Sequence, residues 1–147
     1  MPRFSRHFTN GVAVLSCGTG PSVHGVTVST LALASVDPPM VSFALRSGSR
    51  GLAALLAAGR FAVNRLAEGQ ADLARYFASA TRGRGQPEVW REGTEVPLLA
   101  DAAGWLECTV DRVVPTGDHV LVLGRVLRAE LGAGAPLSNT FRTDPRS

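Results

Sequence analysis

The sequence predicts a mainly β protein, a closed antiparallel barrel with a few short helices at its periphery. The first observation is a set of short apolar runs rich in β-branched residues, at 11–16, 25–29, 40–45 and 61–66. Such runs are typical of buried strands. The second observation is a pair of longer runs that start at Trp105 and His119 and are separated by the turn sequence PTGD. Because few strands alternate with full-length helices, a parallel βαβ sheet is less favoured.

Three short helices are predicted beside these strands. PRFSRHFT places Phe4 and Phe8 one turn apart, which predicts an N-terminal helix. GSRGLAALLAAG predicts a second helix with Ser49 as its N-cap and Gly59 at its end. QADLARYF predicts the third. The double proline in VDPPM interrupts strand pairing, because proline has no N–H to donate.

We expect one domain over residues 1–137 and a short, poorly ordered tail over residues 138–147. The chain has 147 residues, of which 45% are apolar and 18% charged, as is usual for a globular protein with a core. Residues 80–96, rich in Arg, Gly and Glu, predict a long surface loop. The residues after the last strand have little apolar content, which predicts the tail.

The charge pattern argues against a nucleic-acid partner. All 15 basic residues are Arg, they are scattered along the chain, and the net charge is only +3, whereas nucleic-acid-binding proteins concentrate basic residues on one face. No apolar run reaches the roughly 20 residues of a membrane span, so no membrane partner is expected. The segment MPRFSRHFTNG lacks a hydrophobic stretch of the signal-peptide type, which leads us to expect a cytoplasmic protein.

The sequence carries none of the usual catalytic or metal-binding signatures, and we predict neither a dedicated catalytic residue nor a metal site. It has no GxSxG, P-loop, GxGxxG or CxxC motif. Its histidines, His7, His24 and His119, lack metal-ligand spacing. Cys17 and Cys108 each lie in an apolar run, which predicts two small buried side chains; a disulfide between them is allowed but not required.

The hexapeptide RSGSRG, residues 46–51, predicts an anion site where a strand meets a helix. The first N–H groups of a helix have no intrahelical acceptor, and the helix dipole favours an anion beside them. The flanking Ser hydroxyls and Arg guanidinium groups add further donors. The alternative is an ordinary capped helix with solvated arginines.

The apolar segment HGVTVSTLALASVDPPMV, residues 24–41, contains an unusual set of hydroxyls, on Thr27, Ser29, Thr30 and Ser35. Polar groups in apolar strands are costly unless hydrogen-bonded, so a ligand or another chain should satisfy them. The alternative is a solvent-facing strand edge. A ligand with a phosphate and a planar hydrogen-bonding body would reach both this segment and RSGSRG, with Asn64 as a third contact.

These segments together resemble the flavin reductase-like family, whose small members bind FMN in a split β-barrel. The resemblance lies in FTNGVAVLS, HGVTVSTLALASVDPPMVSFAL, RSGSRGLAAL, FAVNRL, and WLECTV with GDHVLVLGRV. It runs in register from about residue 4 to residue 137. An FMN-binding split β-barrel is therefore the fold that the resemblance implies.

The resemblance also implies a role for each candidate site residue. Thr27, Ser29 and Thr30 would lie along the flavin, bonding the ring edge and the ribityl chain. Ser35, with the backbone of Val36 and Asp37, would approach the isoalloxazine. Ser47, Ser49 and Arg50 would hold the 5′-phosphate, and Asn64 would contact the ribityl chain or the ring. His119, in the recurrent Gly-Asp-His turn, would either lie near the cofactor or stabilise the turn.

The implied activity is hydride transfer from NADH or NADPH to FMN, with FAD as the alternative flavin. Reduced flavin would pass to a partner monooxygenase, and a homodimer would hold the flavin at its interface. Family members usually continue after the Pro-Leu pair with an aromatic or His and then Gly-Arg-Tyr, whereas SNTFRTDPRS follows Pro136-Leu137 here. Two alternatives therefore stay open: a repurposed barrel that acts directly on a small molecule, with or without flavin, and a non-catalytic partner subunit.

Overall fold

A computed structural model describes residues 12–78, 90–91 and 95–131. In this part, seven strands form one antiparallel sheet in the order β2-β1-β5-β6-β7-β4-β3. The strands are β1 (Ala13–Cys17), β2 (His24–Val28), β3 (Ala32–Ser35), β4 (Met40–Arg46), β5 (Arg60–Arg65), β6 (Gly104–Thr116) and β7 (His119–Leu131). The helices are α1 (Arg50–Ala58) and α2 (Ala71–Ala78), with 3-10 turns at Gly20–Ser22 and Glu68–Gln70. The N-terminal helix and the tail that we predicted lie outside the described residues.

The sheet confirms the mainly β prediction and corrects the closed barrel to a split one. Its terminal strands, β2 and β3, pair with β1 and β4 and not with each other. The chain crosses this gap directly after β2. There the Thr30 hydroxyl, rather than a strand, accepts a 2.9 Å hydrogen bond from the Ala44 N–H. The VDPPM prolines lie in the turn between β3 and β4, as expected.

The inner face of the sheet encloses the main core. Phe43 on β4 and Phe61 on β5 meet edge to face with ring centroids 5.4 Å apart, and both are fully buried. Gly124 on β7 makes room for the second ring, because a Cβ there would lie 2.7 Å from its Cζ. Helix α1 covers one end of this core with Leu52 and Leu55.

The outer face of β1 and β2 is also buried, which is why every residue of β1 is inaccessible. Phe77 from α2 packs there with Trp90 and Leu99. Residues 95–100, which we call the strap, follow the outer side of β1 and β5. Trp90 and Val96 are 9% and 5% exposed, so these parts of the predicted surface loop are packed, because their apolar side chains cover the sheet.

Cys17 and Cys108 are both buried and free. Cys108 lies opposite Phe61 on β5, and Cys17 follows Ser16, which lies opposite Ala62. The two cysteines are therefore about two strand spacings apart, roughly 9.6 Å, beyond the roughly 7 Å that a disulfide spans. Burial raises the pKa of the Cys17 thiol to about 11 and that of Cys108 to about 12.

Candidate functional site

A cavity of about 700 Å³ opens beside the split in the sheet. Its walls are β2 with the two residues after it, the end of β4, the first turn of α1, the end of α2, and His119. Six of the predicted site residues line it: Thr27, Ser29, Thr30, Ser49, Arg50 and His119. The volume lies in the range of roughly 300–1,000 Å³ that is usual for small-molecule sites.

One end of the cavity is built to receive an anion. The Ser49 side chain caps α1 by accepting a hydrogen bond from the Leu52 N–H, 3.2 Å away. The amides of Arg50 and Gly51, in the first turn, have no preceding helical carbonyl to bond. Arg46 at the end of β4 and Arg50 add two exposed guanidinium groups. Donors and positive charge therefore converge at this end.

The hydroxyls of β2 and of the two residues after it have different partners. Thr27 donates to the Ala74 carbonyl of α2 at 2.6 Å, and Thr30 bonds the backbone of Ala44. Both hydroxyls thus hold the walls of the cavity together. The half-buried Ser29 hydroxyl makes no hydrogen bond within residues 12–78, 90–91 and 95–131. Ser29 is therefore the hydroxyl that this wall offers to a ligand.

His119 stands at the other side of the anion-binding end. It lies opposite Arg46 in the β4–β7 ladder, and its Nδ1 is 2.7 Å from the Asp118 carboxylate. The hydrogen bond with His119 and the charge of that ring lower the pKa of Asp118, and Arg46 contributes in the same direction. The Asp118 carbonyl also accepts from the Ser47 N–H at 3.0 Å, which ties this turn to the start of α1.

The remaining predicted residues do not line this cavity. Ser47 is exposed in the turn between β4 and α1. Ser35 closes the β3–β4 ladder, and Val36 and Asp37 are exposed in the turn after it. Asn64 is fully buried on β5. The structure therefore separates these five from the six that line the walls.

Asn64 has all of its side-chain hydrogen-bonding groups satisfied inside the protein. Its Nδ2 donates to the Val14 carbonyl at 2.9 Å and to the Ser16 Oγ at 2.8 Å. Its Oδ1 accepts from the Leu99 N–H at 2.8 Å. The side chain thus links β1, β5 and the strap, and it has no group left for a ligand.

The chain matches a known protein family over most of its length. The family model described as flavin reductase like domain matches residues 5–143, which is nearly the whole chain. The chain belongs to the flavin reductase-like family. Membership confirms the resemblance on which the split-barrel prediction rested.

Proteins named as flavin reductases are similar to this chain. The chain is 41% identical over 134 residues to the NADH-dependent FMN reductase AsuE2 of Streptomyces nodosus subsp. asukaensis, covering 86% of this chain and 72% of that protein. It is 35% identical to a probable flavin reductase of Rhizobium meliloti (strain 1021), covering 84% of this chain. The chain spans only 40% of the length of that second relative.

Solved structures of flavin reductases share this arrangement of strands. BorF, the flavin reductase component of a bacterial two-component tryptophan halogenase, superimposes with a TM-score of 0.84 at 31% identity, covering 92% of this chain and 89% of BorF. The styrene monooxygenase flavin reductase of Pseudomonas putida S12 gives a TM-score of 0.80 at 34% identity, covering 92% and 91% of the two chains. At these identities the likeness extends to the sequence as well as the fold.

Several cavity residues of this flavin reductase-like chain were not predicted. Gly25 and Phe77 form one wall together, since a Cβ on Gly25 would lie 2.7 Å from the Phe77 ring. His24 also lines the cavity, whereas Arg46, a further lining residue, belongs to the RSGSRG segment in which the sequence predicted an anion site. The sequence offered one usable signal, the His-Gly pair in the family motif. Phe77 had none, because its position in the cavity depends on how α2 packs against β2.

The described residues give no sign of a metal site or a membrane-spanning helix. No group of three or more His, Cys, Asp or Glu side chains comes together there in a way that would hold a metal ion. Within the same residues, neither α1 nor α2 has the length and apolar character needed to cross a membrane.

Proposed function

We propose that this protein is an NADH-dependent flavin reductase that binds FMN in the cavity between β2 and α1. The observation that carries the proposal is the anion-binding end of the cavity, which lies beside the half-buried Ser29 in a chain of the flavin reductase-like family. Several relatives are NADH-dependent flavin or FMN reductases.

The residues present fit a flavin mononucleotide. The α1 amides, Arg50 and Arg46 match the charge of a 5′-phosphate, and Ser29 matches the hydrogen-bonding body of a flavin. Phe77 and Val26 supply the apolar wall that a ring system needs. Ser35, Val36, Asp37 and Ser47 stay proposed contacts, which a second copy of the chain would bring to the cofactor if the site lies at a homodimer interface.

The protein's contribution to the reaction is binding and orientation. A bound isoalloxazine ring would supply the electron chemistry, which is the acceptance of a hydride from a reduced nicotinamide. The chain needs only to hold the phosphate, present one ring face to the nicotinamide, and place donors beside the reduced ring. His119 lines the cavity, so its ring would lie near a bound flavin, whereas its Nδ1 is 2.7 Å from the Asp118 carboxylate.

We propose further that the reduced flavin serves a partner monooxygenase and that the protein is a cytoplasmic homodimer. Relatives include reductase components of two-component systems, among them the styrene monooxygenase flavin reductase and BorF. FMN is the proposed flavin because the cavity has one anion-binding end, and FAD and NADPH are the alternatives that the assay must compare.

The experiment is a flavin titration followed by a nicotinamide oxidation assay on the purified protein. FMN, FAD and riboflavin are each titrated, and NADH and NADPH oxidation is then measured with each flavin. We expect FMN binding and NADH oxidation that depends on added flavin. Tight FMN binding without turnover of either nicotinamide overturns the reductase and indicates a flavoprotein acting directly on a small molecule. A protein that ignores all three flavins overturns the flavin site as well.

A further inference from the structure

We propose that Asn64 is a positioning residue for the cavity, acting through the strap and Trp90 on the aromatic wall formed by Phe77. Asn64 touches none of the cavity. Its effect is carried by three successive contacts, from its amide to the strap, from the strap to Trp90, and from Trp90 to Phe77. The effect on flavin binding rests on the proposed function, whereas the effect on Trp90 does not.

The first contact is the hydrogen bond between Asn64 and the strap. Leu99 N–H donates to the Asn64 Oδ1 at 2.8 Å, and the Asn64 Nδ2 is in turn fixed by Val14 and Ser16 on β1. Ser16 also donates from its hydroxyl to the Pro97 carbonyl. These groups are buried, so each bond is costly to lose. The hydrogen bonds of Asn64 and Ser16 to Leu99 and Pro97 therefore fix the position of the strap relative to the sheet.

The second contact is the backbone bridge between the strap and Trp90. Trp90 forms an isolated antiparallel bridge with Leu99, and the Arg91 N–H donates to the Leu98 carbonyl at 2.7 Å. The Trp90 indole N–H is buried and finds no acceptor in the part of the chain that the structure describes. Among the described residues, the position of the ring is therefore set by its backbone and by packing.

The third contact is aromatic. The Trp90 ring lies 5.5 Å from the Phe77 ring, centroid to centroid, on the outer face of β2. Phe77 is 1% exposed and is held between Trp90 and Gly25, which has no side chain to displace it. Phe77 lines the cavity. A shift of the strap is thus passed through two packed rings to the cavity wall.

Asparagine suits this position because the site needs one acceptor and two donors on a short side chain. Leu99 N–H requires the acceptor, and the Val14 carbonyl and Ser16 hydroxyl take the two donors. An aspartate would lose both donors and bury a charge. An aliphatic residue would remove the acceptor of the Leu99 N–H and the two donors to the Val14 carbonyl and the Ser16 Oγ. The need to bond the strap thus explains why the apolar strand β5 contains Asn64.

The test compares Asn64→Ala with Val63→Ala, both in a Trp105→Phe background that leaves Trp90 as the single tryptophan. Val63 is the neighbouring residue on β5, 2% exposed, and its side chain belongs to the inner core. For each variant, FMN Kd, the emission maximum of Trp90 in flavin-free protein, and its quenching by acrylamide are measured well below the unfolding midpoint. Val63→Ala is the control, because it reduces core packing on the same strand without removing a hydrogen bond to the strap.

We expect Asn64→Ala to red-shift Trp90 emission, increase its quenching, and weaken FMN binding about tenfold, within the range of roughly 5–150-fold usual for coupling between remote positions. Val63→Ala should lower stability but leave Trp90 emission, Trp90 quenching and FMN Kd at the values of the Trp105→Phe protein. Ser16→Ala, a milder change to the same anchor, should move them in the same direction by a smaller factor. If Asn64→Ala does not fold, Ser16→Ala tests the proposal in its place.

Folded variants at Asn64 or Ser16 with unchanged Trp90 emission and unchanged Kd overturn the proposal. Equal shifts in Val63→Ala also overturn it, because the effect would then be general destabilisation. If the background protein binds no FMN, the proposed function fails, but Trp90 emission and quenching still decide whether Asn64 positions the aromatic wall.

Discussion

Arg50 is a charged residue that lines the cavity at its anion-binding end. It is exposed at the first position of α1, and its guanidinium forms no ion pair within the described residues. A charged hydrogen bond to a phosphate is worth roughly 1.5–3 kcal/mol, less where solvent screens it. Arg50 therefore has a free charge to give to an anion.

Arg50→Ala should weaken FMN binding about tenfold, or about 1.4 kcal/mol, and leave riboflavin binding unchanged. Riboflavin lacks the phosphate, so it isolates the charge contribution. Both affinities are measured by flavin fluorescence. Arg65→Ala, which removes another exposed guanidinium outside the cavity, is the control. Equal losses for FMN and riboflavin would place the phosphate elsewhere.

For the hydroxyls of Thr27, Ser29 and Thr30, the sequence could predict a shared location but not which of them is free to bind a ligand. The pattern singled out Thr27, Ser29 and Thr30, which all line the cavity, and their contact with a flavin stays a prediction. It could not tell which hydroxyl is available, because the partner of Thr27 is Ala74, 47 positions away in the sequence. The predicted role of Asn64 was limited in the same way, since Leu99 joins it only in the folded chain.

At the scale of the helix, Ser49 serves both the stability of α1 and the anion-binding end. Ser49→Ala removes the bond to the Leu52 N–H and should cost about 1 kcal/mol of unfolding free energy. Ser49→Asp should preserve stability, because aspartate caps helices as well as serine does. Its carboxylate should nevertheless repel the phosphate and weaken FMN binding more than the Ala variant does. Urea unfolding and FMN titration of both variants separate the two roles. Wild-type affinity in the Asp variant would contradict a phosphate at this end.

The packing of α2 on β2 depends on the missing side chain at Gly25. A Cβ there would lie 2.7 Å from the Phe77 ring, so Gly25→Ala should destabilise the fold by roughly 1–3 kcal/mol. Phe77→Ala removes both ring atoms that clash, Cδ1 and Cε1, and the double variant should be more stable than the sum of the two single effects predicts. A double-mutant cycle by urea unfolding measures this. Gly69→Ala, with no atom within 4 Å of the added Cβ, is the control. Strict additivity would show that Phe77 does not rest on Gly25.

Most strands and helices could be predicted from the sequence, whereas the order of the strands in the sheet could not. Ser49 and Gly59 bound α1 as the sequence indicates, because capping is decided by local residues. The strand order was not encoded locally: β2 and β3 are neighbours in sequence but occupy opposite edges of the sheet. The strap was missed for the same reason, since its polar anchors lie on distant strands.

At the scale of the whole molecule, few titratable side chains are buried among the residues that the structure describes. Glu107 is 2% exposed and is paired with Arg128 at 2.7 Å and with Arg60 at 3.3 Å. Such a pair is retained when its hydrogen bonds are complete. The adjacent thiol of Cys108 has no such partner among the described residues. Burial raises the pKa of this thiol, and the charge of Glu107 raises it further.

The two buried thiols make stability fall at alkaline pH. Both have an ordinary pKa of 9.0, raised in the folded protein to about 11 for Cys17 and about 12 for Cys108. Above pH 9 the unfolded chain therefore releases protons that the folded chain keeps, so each thiol should lower the unfolding free energy by roughly 1.4 kcal/mol per pH unit until its folded pKa is reached. Below pH 9 this loss is absent. Urea unfolding across this range should show a steeper decline for the natural chain than for the Cys17→Ala/Cys108→Ala double variant, which retains every other titrating group. Parallel declines would mean that the thiols ionise equally in both states, and that the core is open to hydroxide at this pH.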